Sequence, residues 1–227
     1  MKIHFVEQGS VDWLLARAGV ITASEADALV SPTGKVRDGA GVATYLHKKL
    51  TELWSGGPLP SLQGVFDMDN GALLEERAKP AFTIHTGLET TNVGFITSDD
   101  GKIGCSPDAL VGTDSGCEIK CCTMPVAIGY LLNGKMPLEY TCQVQFSLFV
   151  TGFKSWHFFS YNRQLPALHV VVERDERFQA ALAVAVADFI AALDAGMKRL
   201  EELNGGPPPR RTVPAPQPEP PSDDLIP

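Results

Sequence analysis

The sequence is poor in positive charge. It carries 19 Lys and Arg against 27 Asp and Glu, a formal net charge of −8 at pH 7. A chain of that sign is not built to coat nucleic acid over its whole surface, although a local basic track or a bound metal can offset an acidic centre. Cysteine is scarce: the five present are an odd number, and none stands in a C-x-x-C pair, which argues against a structural metal or an iron–sulfur cluster. Cys105, Cys117, Cys121 and Cys122 crowd one stretch and Cys142 follows; in a reducing compartment these are expected to be small buried apolar residues. No apolar run of membrane-spanning length stands out and no signal peptide is recognisable, so the expectation is a soluble, cytoplasmic protein with no membrane partner. There is no internal repeat. At 227 residues and 44% hydrophobic content, the chain can build one domain with a real core. That domain is expected over residues 1–204, followed at 205–227 by a proline-rich tail too short of apolar residues to fold, hence disordered.

What is present is organised around Ser106 to Cys122, SPDALVGTDSGCEIKCC. An apolar run (Ala109, Leu110, Val111) meets a polar turn and a second short run, the pattern of a β-hairpin. In the second strand Glu118 and Lys120 are two residues apart, so both point to one face and Ile119 to the other. Pairing back across the turn is expected to set Asp108 opposite the region of Lys120. Such charges are costly to bury without partners. One reading is a structural ion pair. The sharper one is a site for a hard divalent cation, because carboxylate oxygens suit Mg²⁺ or Mn²⁺ and a neighbouring lysine can orient water or stabilise a phosphorane-like transition state. Asp108 followed by Glu118-Ile119-Lys120 matches the PD-(D/E)xK nuclease motif.

The flanking elements follow from periodicity and caps. Residues 2–6 suggest a short strand, and Ser10 an N-cap for a helix carrying Trp13, Leu14 and Arg17. Thr22 with Glu25 three residues on suggests a capping box, with Ser24 in the first turn, where free amide donors favour a phosphate. Helices are expected over 42–54, 63–86, 124–132, 138–151 and 174–203, and strands over 91–97, 102–105, 154–161 and 167–172. Glu75 and Glu76 lie in mid-helix, where one could project toward the hairpin. Gln143 lies one turn after Tyr140; a glutamine in such a helix is usually neutral filler, whereas one on the core side suggests a partner.

Four pieces in order, Trp13…Arg17-x-Gly19-x-Ile21-Thr22-Ala23-Ser24, Gly71-x-x-x-Glu75-x-x-Ala78, Ser106-Pro107-Asp108 with Glu118-Ile119-Lys120, and Tyr140-x-x-Gln143-x-Gln145, carry a family resemblance. The chain resembles the lambda exonuclease, or YqaJ-type viral recombinase, family of PD-(D/E)xK nucleases over roughly residues 10–160. The resemblance implies an α/β fold with a central mixed β-sheet flanked by helices. It also implies Mg²⁺-dependent 5′→3′ digestion of one strand of duplex DNA to leave a 3′ overhang. By the same resemblance, Asp108, Glu118 and the Ile119 carbonyl would bind metal, two Mg²⁺ per site with Mn²⁺ able to substitute, and Glu75 could complete a second position. Lys120 would activate or orient the attacking water, and Gln143 would sit beside the scissile phosphate. Arg17, Ser24 and Ser106 would hold the terminal 5′-phosphate. Implied partners are DNA ends, a single-strand annealing protein and two further copies in a homotrimer, within the bacterial host of a phage or prophage. Lys35, Arg37, Lys48 and Lys49 are the residues expected to line a DNA channel. The competing readings are an endonuclease of the same superfamily, which needs no 5′-phosphate pocket, and a DNA-end-binding scaffold without catalysis.

Overall fold

Short strands and helices alternate from the first residues of the computed structural model, which describes residues 1–59 and 78–208. Strand β1 (Lys2–His4) leads to α1 (Val11–Arg17), capped as expected by Ser10, whose hydroxyl accepts from the Trp13 amide. Strand β2 (Ile21–Thr22) runs into a 3₁₀ helix (Ala23–Ala28), then α2 (Ala40–Ser55). Residues 78–86 are helical (α3). Strands β3 (Thr90–Thr91), β4 (Phe95–Thr97), β5 (Ile103–Cys105), β6 (Ala109–Val111) and β7 (Ser115–Cys121) follow. After α4 (Met124–Asn133) and α5 (Thr141–Thr151) come β8 (Ser155–Tyr161), β9 (Leu168–Glu173) and α6 (Glu176–Asn204).

The strands form two mixed sheets among the described residues, β1-β4-β5-β2 and β3-β6-β7-β8-β9. Pairs β2–β5 and β7–β8 are parallel and the others antiparallel. Helix α5 lies at the centre. Its residues Cys142, Val144, Gln145, Phe146, Ser147, Leu148 and Val150 are all buried, the mark of a helix wrapped on every side. Cys142, Phe146 and Val150 pack with Tyr45 and Leu50 of α2 and Phe178, Leu182 and Phe189 of α6, while Val144 and Leu148 meet Trp156 of β8. Gly116 is required in β7 because a Cβ there would stand 2.3 Å from the Trp156 ring.

Several expectations are corrected. The Thr22–Glu25 capping box does not form: the turn is 3₁₀ without a side-chain cap bond, and the Thr22 hydroxyl donates to Glu25 itself at 3.1 Å, because Lys48 and Lys49 hold that carboxylate. The segment expected as helix from 138 opens as a 3₁₀ turn (Leu138–Tyr140) before α5. One helix, α6, is long and apolar enough by length and composition to cross a membrane, contrary to expectation. Its Phe178, Leu182, Ala185, Val186, Phe189 and Leu193 are buried in the main core, which accounts for its apolar content. Most of the expected 63–86 helix, with Glu75 and Glu76, lies outside the described residues, as does most of the proline-rich tail. Cys105, Cys117 and Cys142 are buried, Cys121 and Cys122 half-buried, and none of the five is in a disulfide. Burial pushes Cys105 up to about 12 and Cys142 up to about 11, so these thiols stay protonated and inert.

The hairpin face turned away from α5 packs on α3, where Phe82 sits edge-on to His157, Phe159 and His169. His157 Nδ1 and His169 Nε2 are 2.9 Å apart in near-coplanar rings. Burial lowers His157; burial, then the neighbouring His157 and His85, lowers His169. With folded values below the unfolded one, the unfolded chain binds more protons, so this contribution to stability is complete above about pH 6.5 and is lost as pH falls below it. Thermal unfolding at pH 7.5 and 5.5 is expected to show a lower Tm at pH 5.5, with the difference reduced in His157→Asn/His169→Gln. An equal pH dependence in that variant would remove the histidines from the account.

Candidate active site

Strand β7 places the site. Its alternation puts Glu118 and Lys120 on the face toward α5 and buries Cys117 and Ile119 against Phe82 of α3. Ser106 and Pro107 link β5 to the hairpin, and the Asp108 amide donates to the Cys117 carbonyl at 3.1 Å. The hairpin pairs Ala109 with Cys117. Asp108 therefore stands opposite Glu118, two residues from the expected position beside Lys120. The reason is the turn: Gly112-Thr113-Asp114 closes the hairpin with β7 already begun at Ser115, which shifts the pairing. One Asp108 oxygen accepts from the Ile119 amide. That bond fixes the carboxylate at the mouth of the hairpin.

Glu118 is buried, 3% exposed, and a lone carboxylate there would be costly. It is not alone. Its Oε1 takes the Lys120 ammonium at 2.6 Å and the Gln143 amide of α5 at 2.7 Å, the partner that the polar residue on the core side of α5 required. Burial by itself would lower Lys120, but contact with Glu118 and the proximity of Asp108 raise it above the ordinary ammonium value. The Tyr140 ring lies 5.1 Å from its Nζ, a further attraction for a cation. In this arrangement the Lys120 ammonium donates to Glu118.

The second cluster gathers Arg17 and two serine hydroxyls. Arg17, at the end of α1, donates to Ser106 Oγ and to Ser24 Oγ, both at 2.9 Å. Its guanidinium stacks 4.2 Å from the Trp13 ring, and Trp13 Nε1 also donates to Ser106 Oγ at 3.0 Å. Burial lowers Arg17 from its usual value and Glu25 opposes this; a guanidinium stays charged regardless. Arg17, Ser24 and Ser106 come from three separate stretches and meet as expected. Ser106 is two residues from Asp108, so pocket and carboxylates share one loop. A groove of about 1060 Å³, lined by Phe5, Gln8, Lys79, Ile84 and Asn92 among others, also reaches Asp108.

Could the site hold a hard cation? Asp108 and Glu118 offer carboxylate oxygens across one strand pair, with the Ile119 backbone between them. Glu118 already gathers an ammonium and an amide N–H, so the site favours positive charge. The donor set fits Mg²⁺ or Mn²⁺, which take oxygen ligands and retain waters. No cluster of three or more His, Cys, Asp or Glu arranged for a metal is found among the described residues, and Glu75, the expected third carboxylate, lies outside them. Of the cations assigned to a DNA channel, Lys49 is corrected: it is 2% exposed and paired with Glu25 at 2.9 Å and Glu52 at 3.0 Å. Trp13 and Tyr140 are the site residues that sequence reasoning gave no role. Both stand in the motif pieces that carry the family resemblance, without an assigned task there.

A carboxylate pair on a hairpin, a strand lysine two residues on, and an arginine–serine cluster beside them set the residues of the PD-(D/E)xK motif together on a mixed α/β scaffold. The chain belongs to the YqaJ-like viral recombinase domain family, whose profile matches residues 12–154. The crystal structure of an alkaline exonuclease (LHK-Exo) from Laribacter hongkongensis matches with TM-score 0.75 and 28% identity, over 86% of this chain and 98% of that one. The same exonuclease in complex with dAMP matches with TM-score 0.74 and 29% identity over the same shares. A phage-related exonuclease from Haemophilus somnus shares the fold, at TM-score 0.58 and 13% identity over 80% of this chain and 96% of that one. ExoD of Escherichia coli K12 is 34% identical over 64 residues, 27% of this chain and 74% of that protein. Family and site together give the protein a nuclease role in recombination.

Proposed function

We propose that the protein is a Mg²⁺-dependent 5′→3′ exonuclease of linear double-stranded DNA that leaves a 3′ overhang for single-strand annealing. The observation that carries this reading is the Arg17–Ser24–Ser106 pocket, joined through Ser106 to the loop of Asp108. An enzyme that cuts within a strand has no need to hold a terminal phosphate beside its carboxylates.

Each side chain has a task in this reading. Asp108, Glu118 and the Ile119 carbonyl hold the cation, with Glu75 as a further ligand. When bound, Mg²⁺ supplies Lewis-acid activation of water and neutralises charge at the phosphate. Lys120 donates from its ammonium to the attacking water or the developing oxyanion. Gln143, already bonded to Glu118, orients that carboxylate and reaches the scissile phosphate. Arg17 forks onto the terminal phosphate, which a lysine cannot match, and the two hydroxyls set the distance from chain end to cut. Recognition is of backbone and end, with little base readout.

The protein acts, in this proposal, as a homotrimer in the bacterial cytoplasm with a single-strand annealing protein. The exposed apolar residues Met124, Val126, Ile128, Leu132 and Leu138 on and after α4 support an assembly contact. Linear duplex is expected to be degraded and covalently closed circles spared; fast cutting of closed circles would show an endonuclease instead. The pocket is tested separately. Wild type is expected to digest 5′-phosphorylated duplex faster than 5′-hydroxyl duplex, and Arg17→Ala to erase most of that preference, at one fixed salt concentration because phosphate contacts are salt-sensitive. An Arg17→Ala enzyme that keeps the full preference contradicts the assignment.

A further inference from the structure

Beneath the anion pocket lies an ion cluster with no part in the chemistry. Lys49 of α2 is buried, its ammonium 2.9 Å from Glu25 Oε2 and 3.0 Å from Glu52 Oε2, and 5.4 Å from the Tyr45 ring. Each carboxylate grips the loop between Arg17 and Ser24 at a different point. Glu52 Oε2 accepts from the Gly19 amide at 2.9 Å. Glu25 Oε2 accepts from the Thr22 hydroxyl at 3.1 Å.

The hydrogens of this chain can be assigned. Thr22 commits its hydroxyl proton to Glu25, so the 3.4 Å contact between Thr22 Oγ1 and Ser24 Oγ has Ser24 as donor. Ser24 Oγ in turn accepts from Arg17 at 2.9 Å. Donors therefore run from Arg17 through Ser24 and Thr22 to Glu25, whose carboxylate accepts from Lys49 on its other side. A second arm, Lys49 to Glu52 to the Gly19 amide, returns to within two residues of Arg17. Gly19 has φ +77°, and a Cβ there would meet Leu53 at 2.4 Å, so loop and α2 are in close contact at this pin.

The geometry points to Lys49 as a positioning residue that fixes Arg17 relative to Ser24 through Glu25 and Glu52, and so sets the enzyme's selectivity for a terminal phosphate. The inference rests on the proposed 5′-phosphate pocket. Unlike Arg17, Lys49 touches no substrate; it holds the pocket's spacing, and sub-ångström spacing is what a preorganised anion site depends on.

The test uses full-length Lys49→Met/Glu52→Gln, which removes one charge of each sign and leaves Glu25 paired with Lys48. Thr22→Val, which cuts the donor run at a buried position without altering charge, is its partner. Digestion rates are measured on linear duplex with 5′-phosphate and with 5′-hydroxyl ends, alongside circular dichroism and melting. For folded variants, KM on the phosphorylated duplex is expected to rise by about tenfold while kcat and the rate on 5′-hydroxyl duplex stay within about twofold. A folded variant that keeps the wild-type preference, or loses rate equally on both substrates, overturns the inference. Should the double variant fail to fold, Thr22→Val decides. A wild type with no preference removes the pocket itself and the inference with it. Loss of preference in Arg17→Ala but not in Thr22→Val or the double variant overturns the inference alone.

Discussion

Replacing Asp108 by Asn or Glu118 by Gln is expected to reduce DNA cleavage by on the order of 10³-fold or more while the protein stays folded. The two carboxylates face each other across the β6–β7 pair and are the oxygen donors available to a cation in the described site. Each amide keeps the shape and one acceptor oxygen, so the Ile119 amide and Gln143 retain a partner. What is lost is the negative charge that binds the cation. Glu118→Gln also leaves the half-buried Lys120 ammonium without its counter-charge, so a lower melting temperature is expected beside the lost cleavage. The measurement is initial digestion of linear duplex in Mg²⁺ and in Mn²⁺, with melting temperature as the control. Near-normal digestion by either variant would refute the assignment.

Lys120→Ala is expected to lose about 10²–10³-fold in rate, the scale of one preorganised donor removed from a transition state. DNA binding should change far less. The half-buried ammonium has two tasks, and they separate experimentally. As partner of Glu118 it offsets a buried charge, and its removal leaves the Gln143 amide still bonded to that carboxylate; the stability cost is at most roughly 3–5 kcal/mol, the range for breaking a buried pair. As donor it acts only on the reacting groups. Added Mg²⁺ should restore much of the lost stability, because the cation replaces the ammonium at Glu118, but not the lost rate. A variant that cleaves well and binds DNA poorly would make Lys120 a docking residue.

Much of the site was legible because its residues obey local rules. Strand alternation alone placed Glu118 and Lys120 on one face, and the ion pair between them follows. Gln143 read from sequence as either neutral filler or, on the core side of its helix, a residue with a polar partner; that partner is Glu118. The anion pocket joins three stretches across more than 80 residues of sequence separation, and only the family resemblance connected them in advance. Less was legible where two local rules competed. Thr22 and Glu25 have the spacing of a capping box, yet two lysines from α2 claim the carboxylate and the turn tightens to 3₁₀. Lys49 has the composition of a surface charge, and nothing within α2 indicates that Glu25 approaches it from the preceding turn. Asp108 was misplaced by two residues because hairpin register depends on where pairing begins after the turn, which polar turn residues leave open. Trp13 and Tyr140 stood in the motif pieces, but periodicity gave their rings no task, because an aromatic at helical spacing reads as core.

The most direct test of the central claim, that a 5′-end pocket feeds a carboxylate–lysine hydrolysis site, is strand-resolved digestion of one linear duplex in Mg²⁺. One 5′ end is phosphorylated and the other carries a hydroxyl, with each strand labelled at either its 5′ or its 3′ terminus. The account predicts that the 5′ label of the phosphorylated strand is released first and that its 3′ label and the complementary strand persist, leaving a 3′ overhang. Earlier release of the 3′ label, equal attack at both ends, or internal fragments carrying intact termini would contradict it.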